Sequence, residues 1–205
     1  MNSNNNSYLS SKYEETCHPT INKHHIEEFI PTSNNDPLLI ELRHLFVSSF
    51  YENYKTVESQ LNLPAGETLL AWLETAFNEE ANKLLSHNCR CFLIYTSSSL
   101  SVISGFLTIK ENENDSNDIY ISQCAIDPAF KRQGYGLHLL KYLTKIFPFA
   151  ISYTCLCRRV NKPALKFYEK CGATFIDDNE IVIKYGYNPI DYICLQLNSS
   201  QLESL

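Results

Sequence analysis

The sequence predicts a mixed α/β fold, with one central sheet of about seven strands and four helices. Three observations predict it. The apolar period changes along the chain from helical to alternating and back to helical. In the middle, three strand-like runs follow one another with only turn-rich pieces between them. The 205 residues, 44% apolar and 12% aromatic, suffice for one substantial core, so a single domain is expected.

Residues 1–20 are rich in Ser and Asn and carry no apolar period, which predicts a flexible polar tail. One domain is expected over 21–198, and 199–205 reads as a short polar tail. Ile26 to Ile30 is the first strand candidate. Asp36 offers an N-cap and Pro37 a first-turn position for a helix with Leu38, Leu39, Leu42, Leu45 and Phe46 at helical spacing. A second helix runs from Gly66 to about Leu85, with Leu69, Leu70, Leu73, Ala76, Phe77 and Leu84 on one face. Arg90 to Thr96, Ser101 to Lys110 and Asp118 to Ile126 form an antiparallel meander, broken at Ser97 to Ser99 and at Asn112 to Asp115. A helix from about Gly134 to Phe147 turns Leu139, Leu140, Leu143 and Ile146 inward and stops at Pro148. Ile151 to Leu156 is a strand, and Asn161 to Cys171 a helix closed by Gly172. Ala173 to Asp177 and Asp191 to Leu197 complete the order β-α-α-β-β-β-α-β-α-β-β.

Charge and composition narrow the function. With 17 basic against 23 acidic residues the net charge is −6, which argues against a nucleic-acid partner. No apolar run approaches the ~20 residues of a membrane span. Met1 to Ser7 lacks the basic flank and apolar stretch of a secretory signal, so a cytoplasmic protein is expected. The C-x-C pairs Cys89/Cys91 and Cys155/Cys157 sit in strand-like runs and lack zinc spacing. The eight cysteines therefore read as buried and reduced, with no metal site expected. The six histidines read as surface or packing residues.

The informative segment lies between the fourth strand and the next helix. A helix N-terminus presents unpaired N–H groups and a partial positive charge, which suits a phosphate. Gly134 and Gly136 clear side chains from its approach, and Lys131 and Arg132 add charge. A nucleoside-triphosphate loop is excluded because G-x4-G-K-[ST] is missing. A dinucleotide site is excluded because there is neither a third glycine nor an acidic residue about 20 positions on. A pyrophosphate held by backbone amides remains.

Lys131-Arg132-Gln133-Gly134-Tyr135-Gly136 resembles the [Q/R]-x-x-G-x-[G/A] motif of the GNAT family of acetyltransferases, with Lys131 in place of the first Gln/Arg. Asn161-Lys162-Pro163-Ala164-Leu165-Lys166-Phe167-Tyr168-Glu169-Lys170-Cys171-Gly172 resembles that family's N-x-x-A-x-x-[FLY]-Y-x-x-x-G. The resemblance implies the GNAT fold and acetyl-CoA as acyl donor. It implies that the backbone of Cys124, Ala125 and Ile126 pairs with the pantetheine arm. Lys131, Arg132, Gln133, Gly134, Tyr135, Gly136 and Leu137 would wrap the pyrophosphate, although Leu137 departs from the small polar or basic residue usual there. Asn161 would lie against the pantetheine, and Tyr168 would protonate the departing thiolate.

The general base is not evident in the sequence. Where many family members carry a Glu on the fourth strand, this chain has Ser122, with Tyr120 two residues earlier. Freeing a lysine-like amine at neutral pH costs roughly 4 to 5 kcal/mol, an α-amine only ~1. A water relayed by Ser122, Tyr120 or backbone carbonyls would thus serve a weakly basic amine. A Cys124 nucleophile is the alternative route. Tyr51, Tyr54, Trp72, Tyr185 and Tyr187 are candidates either for an acceptor cleft or for core. The expected activity is N-acetyl transfer to a small-molecule or peptide or protein amine by a monomer or homodimer. The alternative is a GNAT-like module that binds acyl-CoA or a protein partner without transfer.

Overall fold

A computed structural model describes residues 24–96, 99–111 and 117–205. The expected N-terminal tail, Cys17, His18 and the turn pieces 97–98 and 112–116 lie outside the described residues. Seven strands form one sheet in the order β1-β2-β3-β4-β5-β7-β6. They are β1 His25–Phe29, β2 Arg90–Thr96, β3 Ser99–Glu111, β4 Asp118–Ile126, β5 Ser152–Arg158, β6 Thr174–Ile176 and β7 Tyr192–Asn198. Neighbours pair antiparallel except β4 with β5, which pair in parallel. That single parallel pair follows from a helical crossover, since parallel strands cannot be joined by a tight turn.

The first two helices cover one face of the sheet. Helix α1, Pro37–Tyr54, begins as expected, with the Asp36 side chain accepting from the Leu38 N–H and Pro37 in the first turn. Helix α2, Leu69–Leu85, is capped by Thr68, and buries Leu69, Leu73, Phe77, Ala81 and Leu84. Leu70, expected inward, is 51% exposed, because it lies one residue off that stripe. These helices share a core with Phe106 and Ala125 of the sheet. On the opposite face, α3 (Tyr135–Ile146) and α4 (Lys162–Lys170) close a second core with Ile121, Tyr153, Cys155 and Leu195.

Among the described residues, six α-helices replace the expected four. Helix α5, Asn179–Lys184, stands between β6 and β7 and buries Val182. Helix α6, Ser199–Ser204, occupies what read as a polar C-terminal tail. Its one apolar anchor explains both the helix and the misreading: Leu202 is fully buried among polar neighbours. Burying a leucine contributes ~1.5–3 kcal/mol, enough to dock one short turn.

Candidate active site

Strands β4 and β5 pair from Asp118↔Ser152 to Ile121↔Cys155 and then part, although β4 continues to Ile126 and β5 to Arg158. A cleft of about 1080 Å³ opens between them, lined by both strand ends, the first turns of α3 and α4, and α1 and α2. Beyond Ile121, the β4 backbone has no strand partner on this side among the described residues. Its polar groups are available to an extended ligand laid in the opening. The cross-strand register of β3 and β4 also slips here, from Ile109↔Ile121 to Thr108↔Gln123. Ser122 is the extra residue of that bulge, a device that bends a strand and re-aims a side chain.

The loop after β4 is fixed from both sides. Ser49 of α1 donates its hydroxyl to the Ile126 carbonyl at 2.9 Å, and the Asp127 carboxylate accepts the Ala129 N–H at 2.8 Å. Arg132 has φ 64° and Gly134 φ 88°, so two of three consecutive residues adopt the left-handed region. For arginine that conformation is uncommon and strained, a mark of a backbone shaped for a task. Gly134 caps α3 with no side-chain bond, leaving the first N–H groups of the helix facing the opening. Lys131, Arg132, Gly134, Tyr135, Gly136 and Leu137 line the cleft. Gln133 does not, because its amide folds back onto the Ala129 carbonyl at 3.3 Å. The Lys131 ammonium donates to Asn53 of α1 at 3.0 Å, and burial pulls its pKa down.

Asn161 and Tyr168 stand on α4 as their seven-residue spacing implies. Asn161 caps the helix, accepting the Ala164 N–H at 3.2 Å, and its amide donates to the Tyr54 hydroxyl at 3.4 Å. Tyr168 is 7% exposed, and its hydroxyl meets the thiols of Cys155 and Cys124. Burial pushes the Tyr168 pKa well above the ordinary phenol value, so the group holds its proton at neutral pH and can donate it. Burial likewise pushes the Cys124 thiol up to about 12. A thiol held protonated in this way is a poor nucleophile, which removes the basis for covalent catalysis through Cys124. The seven described cysteines are all free, and no metal-binding cluster occurs among the described residues.

Sequence reasoning missed Glu80. This carboxylate of α2 is 2% exposed and lines the cleft. It accepts from the Thr108 hydroxyl, from Ser122 Oγ at 3.3 Å and from Lys83 Nζ at 3.2 Å. Three donors offset the desolvation of a charge that would otherwise be costly to bury. The signal was in the sequence. Glu80 falls seven residues after Leu73 and three after Phe77, an acidic residue inside an apolar stripe. Tyr120 lies flat on Tyr185, with ring centroids 4.1 Å apart, and burial raises its pKa. It keeps its proton, so it offers a neutral hydroxyl and a packing surface rather than a phenolate base. Of the proposed acceptor aromatics, Tyr54, Trp72 and Tyr187 line the cleft and Tyr51 and Tyr185 do not. None of the described histidines lines it.

Comparison with known proteins places this geometry. The family model described as acetyltransferase (GNAT) family matches residues 39–173. Among solved structures, the chain resembles PaiA N-acetyltransferase of Thermoplasma acidophilum in complex with coenzyme A. The TM-score is 0.62 at 16% identity, over 85% of this chain and 99% of that one. It also resembles a GNAT-family acetyltransferase of Staphylococcus aureus, with TM-score 0.59 at 13% identity over 86% and 99% of the two chains. A Bacillus subtilis acetyltransferase in complex with CoA gives 0.52 at 14% identity, over 86% and 99%. No curated protein sequence matches. The two motifs, the parted strands between them and the match across two thirds of the sequence make this chain a member of the GNAT acetyltransferase family.

Proposed function

We propose that this protein transfers an acetyl group from acetyl-CoA to a primary amine in the opening between β4 and β5. The observation that carries the reading is the position of two proton-handling groups around that opening. Tyr168 reaches it from the α4 side, beside Cys124 and Cys155, and Glu80 from the α2 side, beside Ser122. A donor thioester laid along β4 between them would have its sulfur near a phenol and its carbonyl open to an amine from the Glu80 side. Two solved relatives carry coenzyme A, which supports acetyl-CoA as the donor.

The chain's fittings match that donor. The β4 backbone at Cys124, Ala125 and Ile126, paired with β3 along one edge and open along the other, suits the amides of a pantetheine arm. The left-handed loop and free N-terminus of α3 suit a pyrophosphate, with Arg132 adding charge. Asn161, already committed to its cap and to Tyr54, acts as a wall of the site rather than as a free amide.

In the reaction the C–N bond forms as the thioester C–S bond breaks. The Tyr168 hydroxyl gives its proton to the departing sulfur. Glu80 takes the proton of the attacking nitrogen, through the Ser122 hydroxyl or a water in its place. Glu80 then returns a proton to solvent and Tyr168 regains one. A carboxylate in that role supplies what Ser122 alone lacks, and extends the acceptor range to more basic amines. The test is thiol release from acetyl-CoA across a panel of amines, with the N-acetyl product identified by mass. Release with at least one amine is expected. Measurable CoA binding with no release from any amine would favour a non-transferring module.

A further inference from the structure

We propose that Arg158 is an anion subsite for the acceptor, so that the amine acetylated here carries a carboxylate at its far end. This rests on the acetyl-transfer reading above and names its substrate class. The chain has five arginines. Arg43, Arg90 and Arg159 each pair with carboxylates of Glu or Asp. Arg132 and Arg158 have no carboxylate within 4.0 Å among the described residues, and both line the cleft. They stand on opposite lips of the opening, Arg132 in the loop after β4 and Arg158 at the end of β5. Arg132 belongs with the pyrophosphate of the donor. Nothing in the donor's binding calls for a second guanidinium across the opening.

Arg158 is also held in place. Its guanidinium carbon lies 4.6 Å from the centroid of Trp72 and 4.7 Å from that of Tyr192. The Tyr192 hydroxyl also accepts from the guanidinium, but a guanidinium has five N–H donors, and those that the rings and this hydroxyl leave can take a carboxylate. The adjacent residue sets the contrast: Arg159 turns away to Asp177 and to the Pro189 carbonyl. Asp191, next to the Tyr192 that faces Arg158 across β5 and β7, instead accepts the Asn62 amide at 2.7 Å. At the other side of the acceptor region, Glu79 and Glu80 of α2 face the same cleft. Negative charge where the amine reacts, and a fixed cation apart from it, complement a dipolar amino carboxylate.

Trp72 is the only tryptophan, so its fluorescence reports directly on what reaches Arg158. The probes are the ω-amino carboxylates from glycine to 6-aminohexanoate, each beside the alkylamine of the same chain length. At least one acid is expected to exceed its alkylamine by about 10-fold or more in kcat/KM, the worth of a charge-assisted contact. Arg158→Gln should abolish that preference by raising KM for the acid, while KM for acetyl-CoA and kcat for alkylamines stay within about 2-fold. The favoured acid should also shift Trp72 fluorescence saturably in the wild type and not in Arg158→Gln.

Equal rates for acids and alkylamines, or a preference that survives Arg158→Gln, would overturn the subsite while leaving acetyl transfer standing. An acid-specific Trp72 signal lost in Arg158→Gln, with no thiol release from any amine, would overturn acetyl transfer and keep the anion site. Silence in both measurements would overturn both.

Discussion

On the β4 lip of the opening the protein offers a ligand mostly backbone, and on the β5 and α2 side it offers side chains. From Cys124 to Gly136 the donors are strand and helix N–H groups, shaped by the left-handed Arg132 and Gly134, with the Lys131 ammonium drawn off to Asn53. Across the opening stand the side chains proposed for the chemistry, Glu80, Arg158 and Tyr168, each delivered by a different element and held by its own partners. Backbone recognition has to be contiguous and tolerates changes of side chain. Side-chain recognition is dispersed and depends on each group. Changes on the two sides should therefore fail differently, one in donor binding and the other in turnover and acceptor choice.

The largest separation is expected from Glu80→Gln, which keeps hydrogen bonds to Thr108 and Ser122 but cannot take a proton. Loss of a general base typically lowers kcat by about 10²-fold or more. The loss should shrink as the acceptor amine becomes less basic, because less proton-transfer work is then required. A rate series over amines of graded pKa checks it.

A smaller effect, and on the other parameter, is expected from Gly136→Ala. The new Cβ would sit 3.1 Å from Phe167 Cζ, so α3 and α4 must shift slightly apart. Overpacking of this kind costs about 1 kcal/mol, or about 5-fold in acetyl-CoA KM, with kcat nearly unchanged.

The smallest is Lys131→Met, with about a 3-fold rise in acetyl-CoA KM that fades as salt screens the charge at a distance. Here pH adds a sign. Burial lowers the Lys131 pKa, with Glu52 and Asp127 opposing, so its positive charge is lost as pH rises through that lowered value. Wild-type acetyl-CoA KM should climb on the alkaline side sooner than an ordinary lysine would cause, and Lys131→Met should lack the climb.

The same contrast decides how much was legible in the sequence. Elements with local signals were placed well. Asp36-Pro37 marked the start of α1, Gly172 the end of α4 at φ 80°, and apolar or alternating runs between turn-rich pieces marked β2 and β4. The loop proposed for the pyrophosphate stands out in the sequence because its glycines and the helix it opens are neighbours there. Glu80 is visible as an acid inside an apolar stripe, but its partner is not, since its meeting with Ser122 spans 42 residues and depends on a bulge that no local pattern announces. Arg158 and Arg159 are adjacent in sequence and carry no local signal that separates them. Only the fold shows that one is paired and the other is stacked on Trp72 and Tyr192. Helix α6 was missed because a single leucine in a polar hexamer carries no period, though Leu202 is completely buried.

Tyr168 joins the two sides: it lies against Cys124 of the donor strand and would complete transfer by protonating the thiolate. Tyr168→Phe removes one oxygen from a buried ring and little else, so initial rates of thiol release with and without it test the central claim most directly. A fall in kcat of about 10²-fold or more is predicted, the usual worth of a positioned general acid. Acetyl-CoA KM should stay within about 3-fold, as expected for a group that acts in the transition state. Turnover by Tyr168→Phe at the wild-type rate would contradict the account.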